Sequence, residues 1–250
     1  GNFDLPVPVH SGDEIGFLAE RFGVMNHNIK ELTTRIYNEQ TQKKEYELKM
    51  LQAQINPHFL YNCLDNISSL ITDQKNETAT AMVSHLGRYY RAILSKGRNI
   101  ITIREELELI RAYLEIQLIR IPDLFTYEIT VDEDILDFKI LKMILQPIVE
   151  NAVMHGLKPK EGDKSLSIQA IRDDGIKILI YDNGIGSADR FVFNEVNMKF
   201  GRGIGMQNVY NRIVLHHGSH YGLQFYSRPG EGTLVTLHLP YIREEGEAHD

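Results

Sequence analysis

The chain has 250 residues, with 34 acidic residues against 27 Lys and Arg residues, and therefore a formal net charge of −7. This negative balance, without a cluster of Lys and Arg, disfavours a nucleic-acid binder, and the single cysteine, Cys63, excludes a framework of internal disulfides. The length is sufficient for one large domain or two smaller ones, and no apolar run is long enough to span a bilayer.

The first fifty residues carry the spacing of a coiled coil. Apolar residues recur at alternating intervals of three and four, at Ile15, Leu18, Phe22, Met25, Ile29, Leu32 and Ile36. This spacing predicts a left-handed coiled-coil seam. The pattern is lost over 37–45 and resumes in a shifted phase at Leu48, Leu51 and Ile55. We therefore predict a helical rod whose contacts change between the two parts, with a plain dimerisation helix as the alternative.

A histidine lies at the centre of the polar face of the next helix. At about 100° per residue, Asn62, Asp65, Ser69 and Thr72 share the face of His58. The opposite face is apolar and consists of Phe59, Leu60, Cys63, Leu64, Ile67, Leu70 and Ile71. Pro57 precedes the histidine and removes a backbone donor, a cost that suggests a bend beside a reactive side chain. We therefore expect His58 to be exposed rather than buried in a core.

A second helix with an apolar stripe follows a short polar connection at 73–76, which predicts an antiparallel helical hairpin. The stripe consists of Met82, Leu86, Tyr89 and Ile93. One hairpin leaves apolar surface uncovered, so two chains are expected to form a homodimeric four-helix bundle. Thr102 and Glu105 then form a predicted capping box for a helix that continues to about Arg120.

After Pro122 the periodicity changes to that of strands with a few helices, which predicts an α+β two-layer sandwich. Strands are expected around 125–131, 166–170, 176–180, 223–225 and 234–239, and helices over 139–155 and 204–216. The chemistry-bearing residues lie at the ends of these elements. Asp182 ends a strand before Gly184 and Gly186, a second loop contains Gly201, Gly203 and Gly205, and Asn151 offers an amide oxygen as a hard ligand.

In combination and in this order, residues 125–240 resemble the ATP-binding domain of the GHKL superfamily, which includes histidine kinases, Hsp90, MutL and type II topoisomerases. Glu150-Asn151 matches the N box, residues 182–186 match the adenine loop, residues 201–209 match the lid-hinge loop, and Gly232-Thr233 matches the last conserved loop. The resemblance implies that Asn151 holds Mg²⁺, that the 201–205 glycine loop contacts the phosphates of ATP, and that Thr233 helps Asp182 to hold adenine.

The run Asn-Pro-His-Phe-Leu-Tyr-Asn at 56–62 narrows the resemblance. The chain is similar to the cytoplasmic part of LytS/YesM-type sensor histidine kinases of two-component systems. The resemblance implies that His58 accepts a phosphoryl group, that Asn62 positions a water for phosphatase activity, and that a response regulator is the partner. Residues 11–22 resemble the second helix of a HAMP linker, so we expect a membrane segment, missing from this chain, upstream of a cytoplasmic portion.

These resemblances together predict a multidomain chain. Its expected parts are the end of a HAMP linker at 1–36, a signalling coiled coil at 37–50, the dimerisation and histidine phosphotransfer helices at 51–121, a GHKL domain at 122–242 and a tail at 243–250.

The expected function is ATP-dependent autophosphorylation of His58 followed by transfer to an aspartate of the regulator. An ATP-binding switch that acts mainly as phosphatase of its regulator is the alternative. An ATPase of the Hsp90 or MutL kind fits less well, because it would not explain the His58 helix.

Three departures from the pattern stand out. Phe59 follows the histidine where many histidine kinases have an acidic base, so either another group serves as base, with Glu150 a candidate, or little base is needed. Pro147 occupies the position of a second N-box asparagine. A histidine cluster at 216–220 has no cysteine pair and is not expected to bind a metal.

Overall fold

The computed structural model describes residues 17, 21–33, 35, 57–94, 99–187, 191–192 and 204–242. The chain divides into two compact units, Gly1–Pro57 and His58–Asp250. In the first unit, residues 21–33 form helix α1, and the predicted seam residues Phe22, Met25, Ile29 and Leu32 are exposed on it. The rest of the predicted coiled coil, most of the HAMP-like segment and the 243–250 tail lie outside the described residues.

The predicted helical hairpin is present and consists of α2 (Pro57–Thr72) and α3 (Asn76–Leu94). Lys75 N donates to the Leu70 carbonyl at 2.8 Å and closes α2, while Gln74 takes the left-handed conformation with φ 59°. Phe59, Cys63 and Leu70 of α2 are buried, and on α3 the predicted stripe is buried as well. The four-helix bundle requires a second chain and remains a prediction.

Helix α4 (Ile103–Arg120) begins with the predicted capping box between Thr102 and Glu105. It follows β1 (Ile100–Thr102), which pairs antiparallel with β3 (Lys139–Leu141). The continuous helix predicted over 139–155 is therefore wrong. Its first part is strand β3 and a turn, and only α5 (Gln146–Asn151) and the π-helix Ala152–Leu157 are helical. The apolar spacing fitted a helix, but pairing with β1, which is nearly forty residues away, decided the outcome.

The main sheet has six strands, which are β2 (Thr126–Val131), β4 (Ser165–Asp173), β5 (Gly175–Asp182), β6 (Phe191–Val192), β7 (Gly222–Arg228) and β8 (Gly232–Leu239). Their order across the sheet is β2-β4-β5-β8-β7-β6. Only the β2–β4 pair is parallel; the other neighbours are antiparallel. A 3₁₀ turn spans Glu133–Ile135, and α6 (Ile204–His217) follows the second glycine loop. The predicted strands and the helix after 204 are thus confirmed.

Alternate residues of the sheet face the helices and form the core. One register row across β4, β5, β8 and β7 contains Ile168, Ile180, Val235 and Phe225. These residues belong to a single apolar cluster with side chains of α2, α3, α4, α5 and α6. The opposite face of the sheet carries exposed residues such as Gln169 and Tyr181. The fold is therefore an α/β sandwich with a helical part before it. Among the described residues, no helix combines the length and apolar character needed to cross a membrane.

Candidate functional site

The core face of the sheet changes from apolar to polar at one end. The next residue of β5 on this face after Ile180 is Asp182. It stands opposite Thr233 of β8, and Thr233 stands opposite Ser227 of β7. Antiparallel partners at these positions point to the same face of a sheet. Three polar side chains therefore line up beneath the helical layer, where the alternation of each strand would otherwise place apolar residues.

Asp182 is the charged group of this row, and it is only 3% exposed. Its Oδ1 accepts a hydrogen bond from Gly184 N at 2.9 Å. Burial raises the pKa of the Asp182 carboxyl to about 6, although the Gly184 hydrogen bond and the nearby Lys160 charge oppose the shift. A buried carboxylate with few partners is suited to accept a hydrogen bond from a ligand amine, as predicted for this residue.

Glycines surround Asp182 because no side chain would fit there. A Cβ atom at Gly156 or at Gly184 would overlap Asp182 Oδ1, and one at Gly232 would overlap the Asp182 carbonyl oxygen. The predicted loop residue Gly186 has φ +63°, and its Cβ would overlap the Arg228 carbonyl. Backbone can therefore approach the carboxylate closely from several sides. The Asp182 carboxylate is thus a buried acceptor held between closely packed backbone segments.

The N box ends beside the start of α6. Asn151 is the last residue of α5 and is half-buried. A Cβ atom at Gly205 would lie 3.6 Å from Pro147 Cβ and 3.9 Å from Asn151 Nδ2, so the second glycine loop enters α6 against the N box. The structure thus brings Gly205 close to Asn151. Gly201 and Gly203 lie outside the described residues.

The N box is held in place by a buried carboxylate that the sequence did not reveal. Glu106 of α4 is fully buried and accepts from Met143 N at 2.8 Å and from Leu145 N at 3.0 Å. Arg212 of α6 donates to the Lys142 carbonyl at 2.8 Å on the same turn. Burial raises the pKa of Glu106, while these backbone donors and the Arg212 charge lower it. Glu106 and Arg212 therefore fix the turn from which α5 starts.

Glu150 lies in a polar pocket between the helices. Gln146 donates from Nε2 to Glu150 Oε1 at 2.9 Å and to the Tyr89 hydroxyl at 3.3 Å. Burial raises the pKa of Glu150, and the Gln146 hydrogen bond acts in the opposite direction. Burial, and after it the Glu150 charge, raise the pKa values of Tyr89 and Tyr113. A carboxylate whose pKa is raised is a better proton acceptor than an ordinary carboxylate.

His58 is exposed at the start of α2, as predicted. The amide nitrogen of Asn62, one helical turn later, lies 3.3 Å from both ring nitrogens of the histidine. Phe59 points the other way and is buried, with its ring centroid 5.2 Å from that of Tyr89 and 5.7 Å from that of Tyr113. The residue that replaces the usual acidic neighbour therefore anchors α2 to the two tyrosines beside Glu150.

Two other features lie apart from these groups. A cavity of about 660 Å³ between α3, α4 and β2 is lined by residues such as His85, Arg88 and Glu115, and none of the predicted site residues lines it. Within the part of the chain that the structure describes, no group of three His, Cys, Asp or Glu residues could hold a metal ion.

Three residues that shape the candidate site were not predicted from the sequence, namely Gly156, Ser227 and Glu106. Gly156 closes the run that begins with Glu150-Asn151, and its place in that signature was the available signal. Ser227 precedes a Pro-Gly-Glu-Gly turn and looked like an ordinary strand end. Glu106 occurs on a helix with several other glutamates, and no sequence pattern distinguishes it from them.

Comparison with known proteins yields two family matches. Residues 46–125 match the family model described as "Histidine kinase", and residues 137–243 match the one described as "Histidine kinase-, DNA gyrase B-, and HSP90-like ATPase". Together these matches cover the exposed histidine and the polar end of the sheet.

Curated relatives agree with these matches. The sensor histidine kinase YesM of Bacillus subtilis is 37% identical over 241 residues, which are 96% of this chain and 41% of that protein. The sensor protein kinase HptS of Staphylococcus aureus is 29% identical over 219 residues, which are 86% of this chain and 42% of that protein. The chain therefore spans about two fifths of the length of the curated relatives it matches.

Among solved structures, the histidine kinase domain of a blue-light activated histidine kinase from Erythrobacter litoralis aligns with 80% of this chain and 96% of that one. The TM-score is 0.43 at 14% identity, which is too low to assign the fold. The strand order and the family matches assign it instead.

Proposed function

Because the chain belongs to the histidine kinase family, and within it to the LytS/YesM type of sensor kinase, we propose that it transfers the γ-phosphoryl group of ATP to His58. We propose further that an aspartate of a response regulator then receives this group. The observation that carries the proposal is the occurrence, in one compact unit, of an exposed helical histidine and a buried carboxylate ringed by glycines.

ATP is the substrate that the polar end of the sheet fits best. Asp182 would accept a hydrogen bond from the adenine amine, and Thr233 stands opposite it on β8 to complete the floor. Gly184 and Gly186 would let the loop backbone pack against Gly156 and Arg228, which holds the Asp182 acceptor in place. The glycine loop with Gly201, Gly203 and Gly205 would contact the phosphates at the start of α6. Asn151 would hold Mg²⁺, which neutralises phosphate charge during transfer.

The transfer itself needs a nucleophile, an acceptor for its proton and a leaving group. A ring nitrogen of His58 would attack the γ-phosphorus, and the bond from phosphorus to the bridging oxygen would break as ADP leaves. The proton of the imidazole ring would pass to a base. Glu150 is the base proposed for that role, because burial raises the pKa of its carboxyl and Phe59 leaves no acidic residue directly after His58.

Phosphatase action on the regulator is a second activity that one contact favours. The Asn62 amide lies 3.3 Å from the His58 ring on the same exposed face, where a regulator would dock. An amide there could orient a water molecule towards a phosphorylated aspartate. A chain that works mainly as a phosphatase would rely on this contact and would not need rapid transfer from ATP.

The chain is proposed to act as a homodimer. Leu64 and Ile71 of α2, and Val83 and Leu94 of α3, are exposed apolar residues. Leu64 and Ile71 lie next to the buried residues of α2, so a second copy of the chain could bury them in a four-helix bundle. We also propose that the chain is the cytoplasmic portion of a membrane sensor, on the strength of the HAMP-like residues 11–22.

Incubation of the chain with γ-labelled ATP and Mg²⁺ tests the proposal. The protein should acquire a label that acid removes and alkali does not, as a phosphoramidate bond requires. His58→Gln should abolish the label and keep ATP binding, while His85→Gln, a matched change on the neighbouring helix, should keep both. Labelling that persists in His58→Gln would reject His58 as the acceptor.

A further inference from the structure

The hydroxyl of Ser227 has a defined place at the polar end of the sheet. Ser227 is 1% exposed and makes three contacts. Ser187 N donates to Ser227 Oγ at 2.8 Å, Ser227 Oγ donates to the Gly232 carbonyl at 3.1 Å, and Thr233 Oγ1 lies 2.9 Å from the same oxygen. The contacts join the loop after the Asp182 glycines to the start of β8.

The proton count at Ser227 fixes the direction of its bond with Thr233. A serine hydroxyl has one proton and two lone pairs, and a carbonyl can only accept. If the Ser227 proton pointed to Thr233, no proton would stand between Ser227 Oγ and the Gly232 carbonyl. All three contacts are hydrogen bonds only when Ser227 donates to Gly232 and Thr233 donates to Ser227. The Thr233 proton then points towards Ser227 Oγ. The Thr233 hydroxyl oxygen has only lone pairs left to offer to a nucleotide at the site.

We infer that Ser227 is a positioning residue for purine recognition: it holds Thr233 as a pure acceptor, so that the site selects purines with an amine at position 6. Asp182 and Thr233 would then be two acceptors side by side on opposed strands. The 6-amino group of adenine has two N–H donors for them. The 6-keto oxygen of hypoxanthine or guanine would face two acceptors, which is repulsive. The inference rests on the proposed ATP site and adds the origin of its base selectivity.

The preference between ATP and ITP tests this role, because the two nucleotides differ only in the group at position 6 and in the N1 proton that accompanies the keto form. In Ser227→Ala the Thr233 hydroxyl is free to turn and donate to a keto oxygen. We expect the ATP-over-ITP ratio of dissociation constants, measured by calorimetry with Mg²⁺, to narrow about tenfold, which is the usual effect of one hydrogen bond at a binding site. Thr233→Ser keeps the hydroxyl and should keep the ratio.

A double-mutant cycle separates positioning from a merely structural effect. Thr233→Val removes the hydroxyl, and in that background Ser227→Ala should not change the ratio further. If Ser227→Ala weakened ATP and ITP equally, Ser227 would be structural only, and the inference would be overturned while the ATP site stood. If the parent chain bound neither nucleotide, the ATP site and the inference would both be overturned.

Discussion

Replacement of Asp182 by asparagine should change two free energies in opposite directions. The substitution keeps the shape of the side chain, and an amide oxygen can still accept from Gly184 N, which donates to Asp182 Oδ1 at 2.9 Å in the parent. It removes the charge of a group that is only 3% exposed. The folded protein therefore no longer buries a carboxylate, while a nucleotide loses a charged hydrogen-bond acceptor.

The stability change follows from the pKa of this carboxyl. Burial raises it from an ordinary 3.8 to about 6, so the folded state binds the proton more tightly than the unfolded state. The cost of ionising Asp182 in the folded protein therefore develops as the pH rises from about 4 to 6 and is fully present above 6. At 1.36 kcal/mol per pKa unit, the cost is about 2–3 kcal/mol. Asp182→Asn should stabilise the ligand-free chain by that amount at pH 7.5.

Denaturant unfolding at two pH values and calorimetry with ATP measure both effects. The gain in stability should be present at pH 7.5 and nearly absent at pH 4. ATP binding at pH 7.5 should weaken by about 1.5–3 kcal/mol, the usual worth of a hydrogen bond to a charged group. A variant that is no more stable than the parent at pH 7.5, or one that binds ATP as tightly, would refute the account of Asp182 as a buried, ionised acceptor.

Three further tests address the remaining roles. Asn62→Ala should keep autophosphorylation and slow dephosphorylation of the cognate regulator, and an unchanged dephosphorylation rate would remove Asn62 from that activity. Glu150→Gln should slow autophosphorylation about 100-fold or more. In the parent, the rate should fall at acid pH as the buried carboxylate is protonated, and the variant should lose this fall. A variant with the pH profile of the parent would exclude Glu150 as base. The double change Leu64→Asn with Ile71→Asn should yield a monomer by sedimentation, whereas Ser69→Asn on the His58 face should leave a dimer.

Local patterns in the sequence predicted most of the sandwich. Apolar residues at 176, 178 and 180 and over 234–239 identified β5 and β8, and the glycines before 204 marked the start of α6, because these signals lie within a few residues. Residues 139–145 were wrongly predicted to be helical because Leu141, Ile144, Leu145 and Ile148 have the spacing of a helix face. Two distant partners decide that segment: β1 pairs with residues 139–141, and Glu106 captures the amides of Met143 and Leu145.

The same limit applies to the site. Asp182 and its glycines could be predicted, since the loop that carries them is contiguous in sequence. Ser227 and Gly156 acquire their roles from residues that are distant in sequence: Ser227 from Ser187, forty positions away, and Gly156 from Asp182. The inferred direction of the Thr233 hydroxyl depends on three atoms from three segments, which only the fold brings together.

The position of the phosphoryl group is the most direct test of the central claim. After incubation with ATP and Mg²⁺, the chain is digested at alkaline pH, and the phosphorylated peptide is sequenced by mass spectrometry with a fragmentation method that preserves the phosphorus–nitrogen bond. The account predicts one phosphoryl group on the imidazole of His58. A phosphoryl group on any other residue, or none in a chain that binds ATP, would contradict it.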